Sequence, residues 1–133
     1  MNMTDSIEDT GLFSFATYPT SEAAFERFDI PAEDIIEGNP YSEVAGHFQS
    51  PDGSLVAGVA RIGVGKYKYR QTADEINYVT KGRMLITSDG DDRTIECVAG
   101  SMTRLDKGTV YTKTVLEPYE EAYVMFNDSA VQM

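Results

Sequence analysis

Residues 63–82, "GVGKYKYRQTADEINYVTKG", decide the fold. Tyr67, Tyr69 and Gln71 recur at every second position, and Glu75, Asn77 and Val79 resume the same period after a short polar break. Side chains alternate across a strand, so each set of three shares one face. Lys66, Lys68 and Arg70 fall on the opposite face and form a solvated cationic stripe. The glycines at the left end make "GVGKY" a bend between two strands, and no phosphate-cradling loop of the Walker type occurs anywhere.

The same grammar extends outward in both directions. Short runs rich in β-branched and aromatic residues follow one another: "EVAGHFQS", "LVAGVARIGVG", "RMLITSDGDDR", "TIECVAG", "SMTRLDKG", "TVYTKTVLE" and "EAYVMFN". Turn chemistry separates them, with Asp52-Gly53 and Asp89-Gly90 suited to tight hairpins because glycine accepts positive φ. Many short strands at regular intervals predict an all-β sandwich or barrel, since closure removes exposed edges. Only "TSEAAFERF" reads as helical, two turns capped by Thr20 or Ser21, with Ala24, Phe25 and Phe28 on one face and Pro31 as the stop. Residues 1–10 are polar, acidic and aperiodic, which predicts a frayed tail. The domain reading is 1–37 for tail and short helix, and 38–133 for the barrel.

Composition excludes several functions. With 133 residues and 41% hydrophobic content, the chain suffices for one sizeable core and a single domain. Eleven basic against 22 acidic residues give a net charge of −11, which repels phosphate backbones and anionic membrane surfaces. Nucleic acid and membrane partners are therefore not expected. A single cysteine, Cys97, forbids an internal disulfide or a cysteine-rich zinc site and is read as a small core residue. The segment "MNMTDSIEDTG" has neither a basic nor an apolar stretch, so a soluble, cytoplasmic protein is expected. The acidic turn "SDGDDR" lacks the closing glutamate of an EF-hand loop and reads as a hairpin tip.

The spacing of residues 63–115 resembles the cupin superfamily. Its first motif runs glycine, five residues, His-x-His, three or four residues, glutamate, six residues, glycine. Here Gly63, Tyr69, Gln71, Glu75 and Gly82 keep that frame. The second motif is matched by Gly100, Asp106-Lys107-Gly108, Tyr111 and Val115. Every histidine of the frame is replaced, and of the four usual metal ligands only Glu75 stands. "DEINYVTKGRMLI", preceded by "EGNPYSEVAGHFQSPDG", is most similar to the ethanolamine-utilisation protein Q type and the cupins grouped with ureidoglycine aminohydrolase. The resemblance spans about Gly38 to Phe126 and implies a conical double-stranded β-barrel, or jelly roll, usually a homodimer, with a ligand pocket in its wider mouth.

If Glu75 faces inward as that frame implies, Asn77 and Val79 follow it, and Tyr69 with Gln71, and Tyr111 with Lys113, line the same interior. Glu75, Tyr69 and Tyr111 are then the candidate acid–base residues, and Gln71, Asn77, Lys113 and His47 the candidate contacts for a small polar metabolite. No metal or other cofactor is expected, because one carboxylate, an amide and phenols of pKa about 10 are a poor set for a transition metal. Two alternatives stay open. His47, the only histidine, could complete an irregular metal site with Glu75 and Gln71; or the barrel is a non-catalytic dimeric accessory module, its carboxylate serving only a structural polar network.

Overall fold

The computed structural model describes residues 15–132. Among these residues are nine strands, β1 (Glu26–Asp29), β2 (Ile35–Gly38), β3 (Tyr41–Gln49), β4 (Leu55–Ile62), β5 (Gly65–Arg70), β6 (Asp74–Ser88), β7 (Thr94–Val98), β8 (Met102–Leu105) and β9 (Val110–Phe126), with one 3-10 turn, Thr20–Glu22, before β1 and another, Ala32–Asp34, between β1 and β2. All pairings are antiparallel.

The two long strands organise the molecule. The C-terminal half of β9 pairs with β4, from Ile62↔Tyr119 to Leu55↔Phe126, and its N-terminal half pairs with β5, from Gly65↔Val115 to Arg70↔Val110. On its other edge β9 pairs with β6 along nearly its whole length. One sheet thus runs β1-β3-β4-β9-β6-β8 and the other β2-β5-β9-β6-β7, with β6 and β9 passing through both. The passage needs a bend, and the β6–β9 register slips between Val79 and Met84. Gly82 sits at that slip with φ +85, and a Cβ there would lie 2.1 Å from the Pro118 carbonyl oxygen. Only glycine meets both demands, and Pro118, which has no N–H to place in a ladder, stands opposite it.

The slip reverses the phase of β6. Glu75, Asn77 and Val79 are buried before it, Met84 and Ile86 after it. β9 keeps one phase throughout, burying Tyr111, Lys113, Val115, Tyr119, Glu121, Tyr123 and Met125. Inward side chains of both sheets meet in a core that includes Ile62, Tyr67, Val79, Met84 and Tyr119. This is the all-β jelly-roll barrel expected from the sequence. Cys97 is buried in it, 3.4 Å from Thr103 Oγ1.

The amino-terminal segment differs from its expectation. Its helical part is one 3-10 turn, Thr20–Glu22, without a side-chain cap. Residues 26–29 leave the helical path and pair with β3, from Glu26↔Val44 to Asp29↔Tyr41. An isolated two-turn helix is marginal in water, whereas the open edge of β3 offers a ready ladder. Phe25 packs under the Arg61 guanidinium, 4.1 Å from ring centroid to Cζ, and Phe28 stays half exposed. The expected frayed tail at 1–10 lies outside the described residues. Among the described residues no helix is long and apolar enough to cross a membrane.

Candidate functional site

The inward faces of β3, β4, β5, β6 and β9 enclose a cavity of about 340 Å³ at one end of the barrel. That is the lower end of the range for small-ligand pockets. Its walls are apolar, with Ile30, Val44, Ile62 and Met125 among them, and its floor is polar and ionisable: Tyr67, Tyr69, Glu75, Lys113, Glu121 and Tyr123. Residues 28–31 and Asp34, on and after β1, border the outer end.

Glu75 is the centre of the floor. Gln71 Nε2 donates to its Oε1 (3.1 Å) and Asn77 Nδ2 to its Oε2 (2.8 Å). Glu121, from β9, makes a third hydrogen bond to it. Two carboxyl groups in hydrogen-bond contact hold a proton between them. Burial by itself would raise the Glu75 pKa, but the Lys113 ammonium and the hydrogen bonds from Glu121, Asn77 and Gln71 outweigh it and hold the carboxyl below its ordinary value. Glu121 goes the other way: burial first, then the charge of Glu75 and the bond to it, drive its pKa well up. The proton therefore resides on Glu121, and Glu75 is the carboxylate.

Lys113 stays charged. Burial disfavours its ammonium, yet its acidic neighbours, Tyr67 first and then Glu75, raise its pKa, and near neutral pH the charge that supports it is the Glu75 carboxylate. Its Nζ stands 4.7 Å from the Tyr69 ring centroid, a cation–π distance. The phenols remain neutral: burial raises Tyr67 and Tyr119, and pushes Tyr123 up to about 12. Tyr119 also hydrogen bonds to Glu121 from the core side. The floor is thus one carboxylate, one ammonium, one protonated carboxyl and several phenols.

The sequence candidates divide. Glu75, Tyr69 and Lys113 line the cavity, and Gln71 and Asn77 are buried behind Glu75 and orient it. The oxygens of those two amides, Gln71 Oε1 and Asn77 Oδ1, have no hydrogen-bond partner among the described residues. Tyr111 is buried, but its hydroxyl accepts the Asp106 backbone N–H (2.9 Å) and it does not border the cavity. His47 is brought elsewhere. The cavity-lining residues of β3 are Ser42 and Val44, and alternation from them carries the odd-numbered His47 to the opposite face, where it is the extra residue of a bulge between Gly46 and Phe48. It packs by Tyr18, 5.4 Å between ring centroids, in a separate groove on the outer sheet face.

Glu121, Tyr67 and Tyr123 are the floor groups absent from the sequence candidates. Tyr67 had been placed on the inward face without a role. Glu121 and Tyr123 carry a signal, since they continue the odd-numbered phase of Tyr111, Lys113 and Val115, but Glu117-Pro118 interrupts the pattern.

At the frame position where a divalent ion would sit, the donors are a poor match. Glu75 already receives three hydrogen bonds, the Gln71 amide turns its NH2 to it, Tyr111 is engaged by Asp106, and the Lys113 charge stands beside them. Among the described residues no group of three His, Cys, Asp or Glu comes together to hold a metal.

An all-antiparallel barrel crossed by two bent strands, with a ligand-sized cavity at one end, defines a cupin. Residues 49–123 match the EutQ-like cupin domain, and the chain belongs to that family. No curated protein matches in sequence. Solved structures with the same fold include the Clostridium difficile EutQ protein, 19% identical over 79% of this chain and 96% of that one, with a TM-score of 0.59. A putative ethanolamine utilization protein Q from Salmonella typhimurium is 15% identical over 79% and 95%, with a TM-score of 0.58. The cupin domain of Schizosaccharomyces pombe Cnp3 is 14% identical over 85% and 70%, with a TM-score of 0.62.

Proposed function

We propose that this cupin binds one small polar metabolite in its barrel and acts on it by acid–base chemistry, without a histidine-held metal. The observation that carries this reading is the cavity of about 340 Å³ with Glu75, Glu121 and Lys113 all on its lining. Buried ionisable groups are costly, and their convergence on a ligand-sized cavity is what a binding site requires. The proton between Glu121 and Glu75 is the one available to a bound acceptor. Lys113 supplies positive charge for an oxygen gaining negative character, with Tyr67 and Tyr69 beside it. Glu75 holds Glu121 in its protonated form and balances Lys113.

A panel of small acids, amides, alcohols and amines, screened by thermal shift, tests this, because a ligand that binds only the folded state raises its melting temperature. Ala60→Phe, which points a ring into the cavity, should abolish every shift seen with the native chain. Shifts that survive Ala60→Phe and Glu121→Gln alike would place binding elsewhere.

Homodimerisation, the association implied by the family resemblance, is supported by the outer face of the first sheet. Ile76, Tyr78, Met102 and Val124 are exposed there, and Tyr78↔Met102 and Ile76↔Val124 are register neighbours, so the apolar surface is contiguous. Sedimentation of the native chain and of Tyr78→Lys should give a dimer and a monomer respectively; a native monomer would remove this part of the proposal.

A further inference from the structure

The floor distinguishes used from unused hydrogen-bonding capacity. Both Glu75 oxygens are engaged, by Gln71, Asn77 and Glu121. No hydrogen bond among the described residues takes the Lys113 N–H groups or the Tyr67 hydroxyl, and neither atom is sealed from the cavity. The ammonium can only donate and the phenol beside it can do so too, and these donors call for an acceptor oxygen.

Charge narrows the class further. The Glu75 carboxylate and the Lys113 ammonium balance, and Glu121 shares its proton with Glu75. An ion added at this floor would remain uncompensated, and a buried unpaired charge costs far more than a buried neutral group with its hydrogen bonds made. The remaining charged side chains border the cavity nearer solvent. Asp29 pairs with Arg27 (3.6 Å) and Lys68 with Asp89 (3.1 Å), while Asp34 has no cationic partner among the described residues. The entrance is left net negative on a chain of charge −11, which disfavours anions. Ammonium groups would meet the like charge of Lys113.

We infer that the cavity selects uncharged carbonyl compounds with an apolar body, amides or ketones, over the carboxylate and the amine of the same skeleton. The carbonyl oxygen sits at Lys113 and Tyr67, and the body lies against Val44, Ile62 and Met125. This inference rests on the binding reading above, and the experiment separates the two.

Two matched sets serve as probes: 3-methylbutanamide, 3-methylbutanoate and 3-methylbutylamine, and benzamide, benzoate and benzylamine. Each is titrated at neutral pH into 15N-labelled full-length protein and followed by amide chemical shifts. The amides should bind at least tenfold more tightly than either ion, with shifts at Phe28, Asp29, Ile30, Lys113 and Glu121. A carboxylate or amine that binds there as tightly as its amide overturns the charge selection and leaves the cavity reading standing. No response to any of the six overturns both. Asp34→Asn keeps the fold-bearing interior intact and removes the unpaired charge. It should strengthen carboxylate binding about twofold to threefold at low ionic strength, the effect of one unit charge some 8 Å away in water-like dielectric, and not at all in about 0.5 M salt. Unchanged carboxylate affinity at low salt would refute the role given to the entrance.

Discussion

If the shared proton belongs to Glu121, two substitutions that look equivalent should behave differently. Glu121→Gln replaces a protonated carboxyl by a neutral group of the same shape that still donates to Glu75. Glu75→Gln removes the carboxylate that balances Lys113 and leaves the amides of Gln71 and Asn77 donating to another amide. Breaking a buried charge pair from one side costs about 3–5 kcal/mol, whereas an isosteric neutral exchange stays within about 1 kcal/mol. At roughly 2.1 cal/mol/K of unfolding entropy per residue, a chain of this length loses about 4 °C of Tm per kcal/mol. At pH 5, where the native contribution of Glu121 is still largely present, Glu75→Gln should therefore melt some 10–20 °C below the native protein, and Glu121→Gln within about 4 °C. The pH dependence adds a second readout. The Glu121 pKa is raised in the fold, so its contribution is complete below the unfolded carboxyl pKa and is lost as pH rises toward the folded one. The groups that face it are Glu75 from β6, Lys113, Tyr119 and Tyr123 from β9, Tyr67 from β5 and Cys97 from β7, and Glu75 is the carboxyl that shares its proton. Glu121→Gln abolishes that loss. Relative to the native chain it should gain stability as pH rises from the ordinary carboxyl range toward the folded pKa, at up to about 1.4 kcal/mol per pH unit. Differential scanning calorimetry across this range decides the matter. Equal destabilisation by both variants, or a difference between Glu121→Gln and native that ignores pH, would show that the proton is not held where the geometry puts it.

Three further outcomes are expected. Lys113→Met should cost about 3–5 kcal/mol in urea unfolding, and the double variant with Glu75→Gln should recover at least about 1 kcal/mol of the summed single losses; strict additivity would mean that the two charges do not interact. Gly82→Ala places a Cβ 2.1 Å from the Pro118 oxygen at φ +85, so it should lose about 3 kcal/mol or more, and near-native stability would refute the close crossing of β6 and β9. Elemental analysis of the purified protein should find no stoichiometric metal, and EDTA should leave its Tm unchanged within about 1 °C; one ion per chain with a chelator-sensitive Tm would restore the metal-dependent alternative.

The fold was legible because its signals are local. Period-two alternation in β5 and β6, Asp-Gly turns and the glycine frame from Gly63 to Gly82 each act over a few residues, and tertiary packing did not override them. The stretch around Phe25 misled because its apolar spacing suits a short helix about as well as an edge strand, and the deciding influence, the open edge of β3, is remote in sequence. His47 misled for a related reason. Its strand does reach the cavity, but with Ser42 and Val44, so alternation leaves His47 on the other face, and which phase of β3 turns inward is set by packing against β4 and β9 rather than by anything local. Glu121 was within reach. It lies eight residues after Lys113, an even number, and β9 keeps its phase across Pro118 because the slip that turns the sheet falls on β6 at Gly82 instead. That asymmetry has a functional consequence. Since one strand changes phase at the bend and the other does not, β9 can present Lys113 from one sheet and Glu121 from the other to the same Glu75. The charge balance of the floor is a product of the strand crossing, because the register slip at Gly82 sets where Lys113 and Glu121 of β9 stand relative to Glu75 of β6.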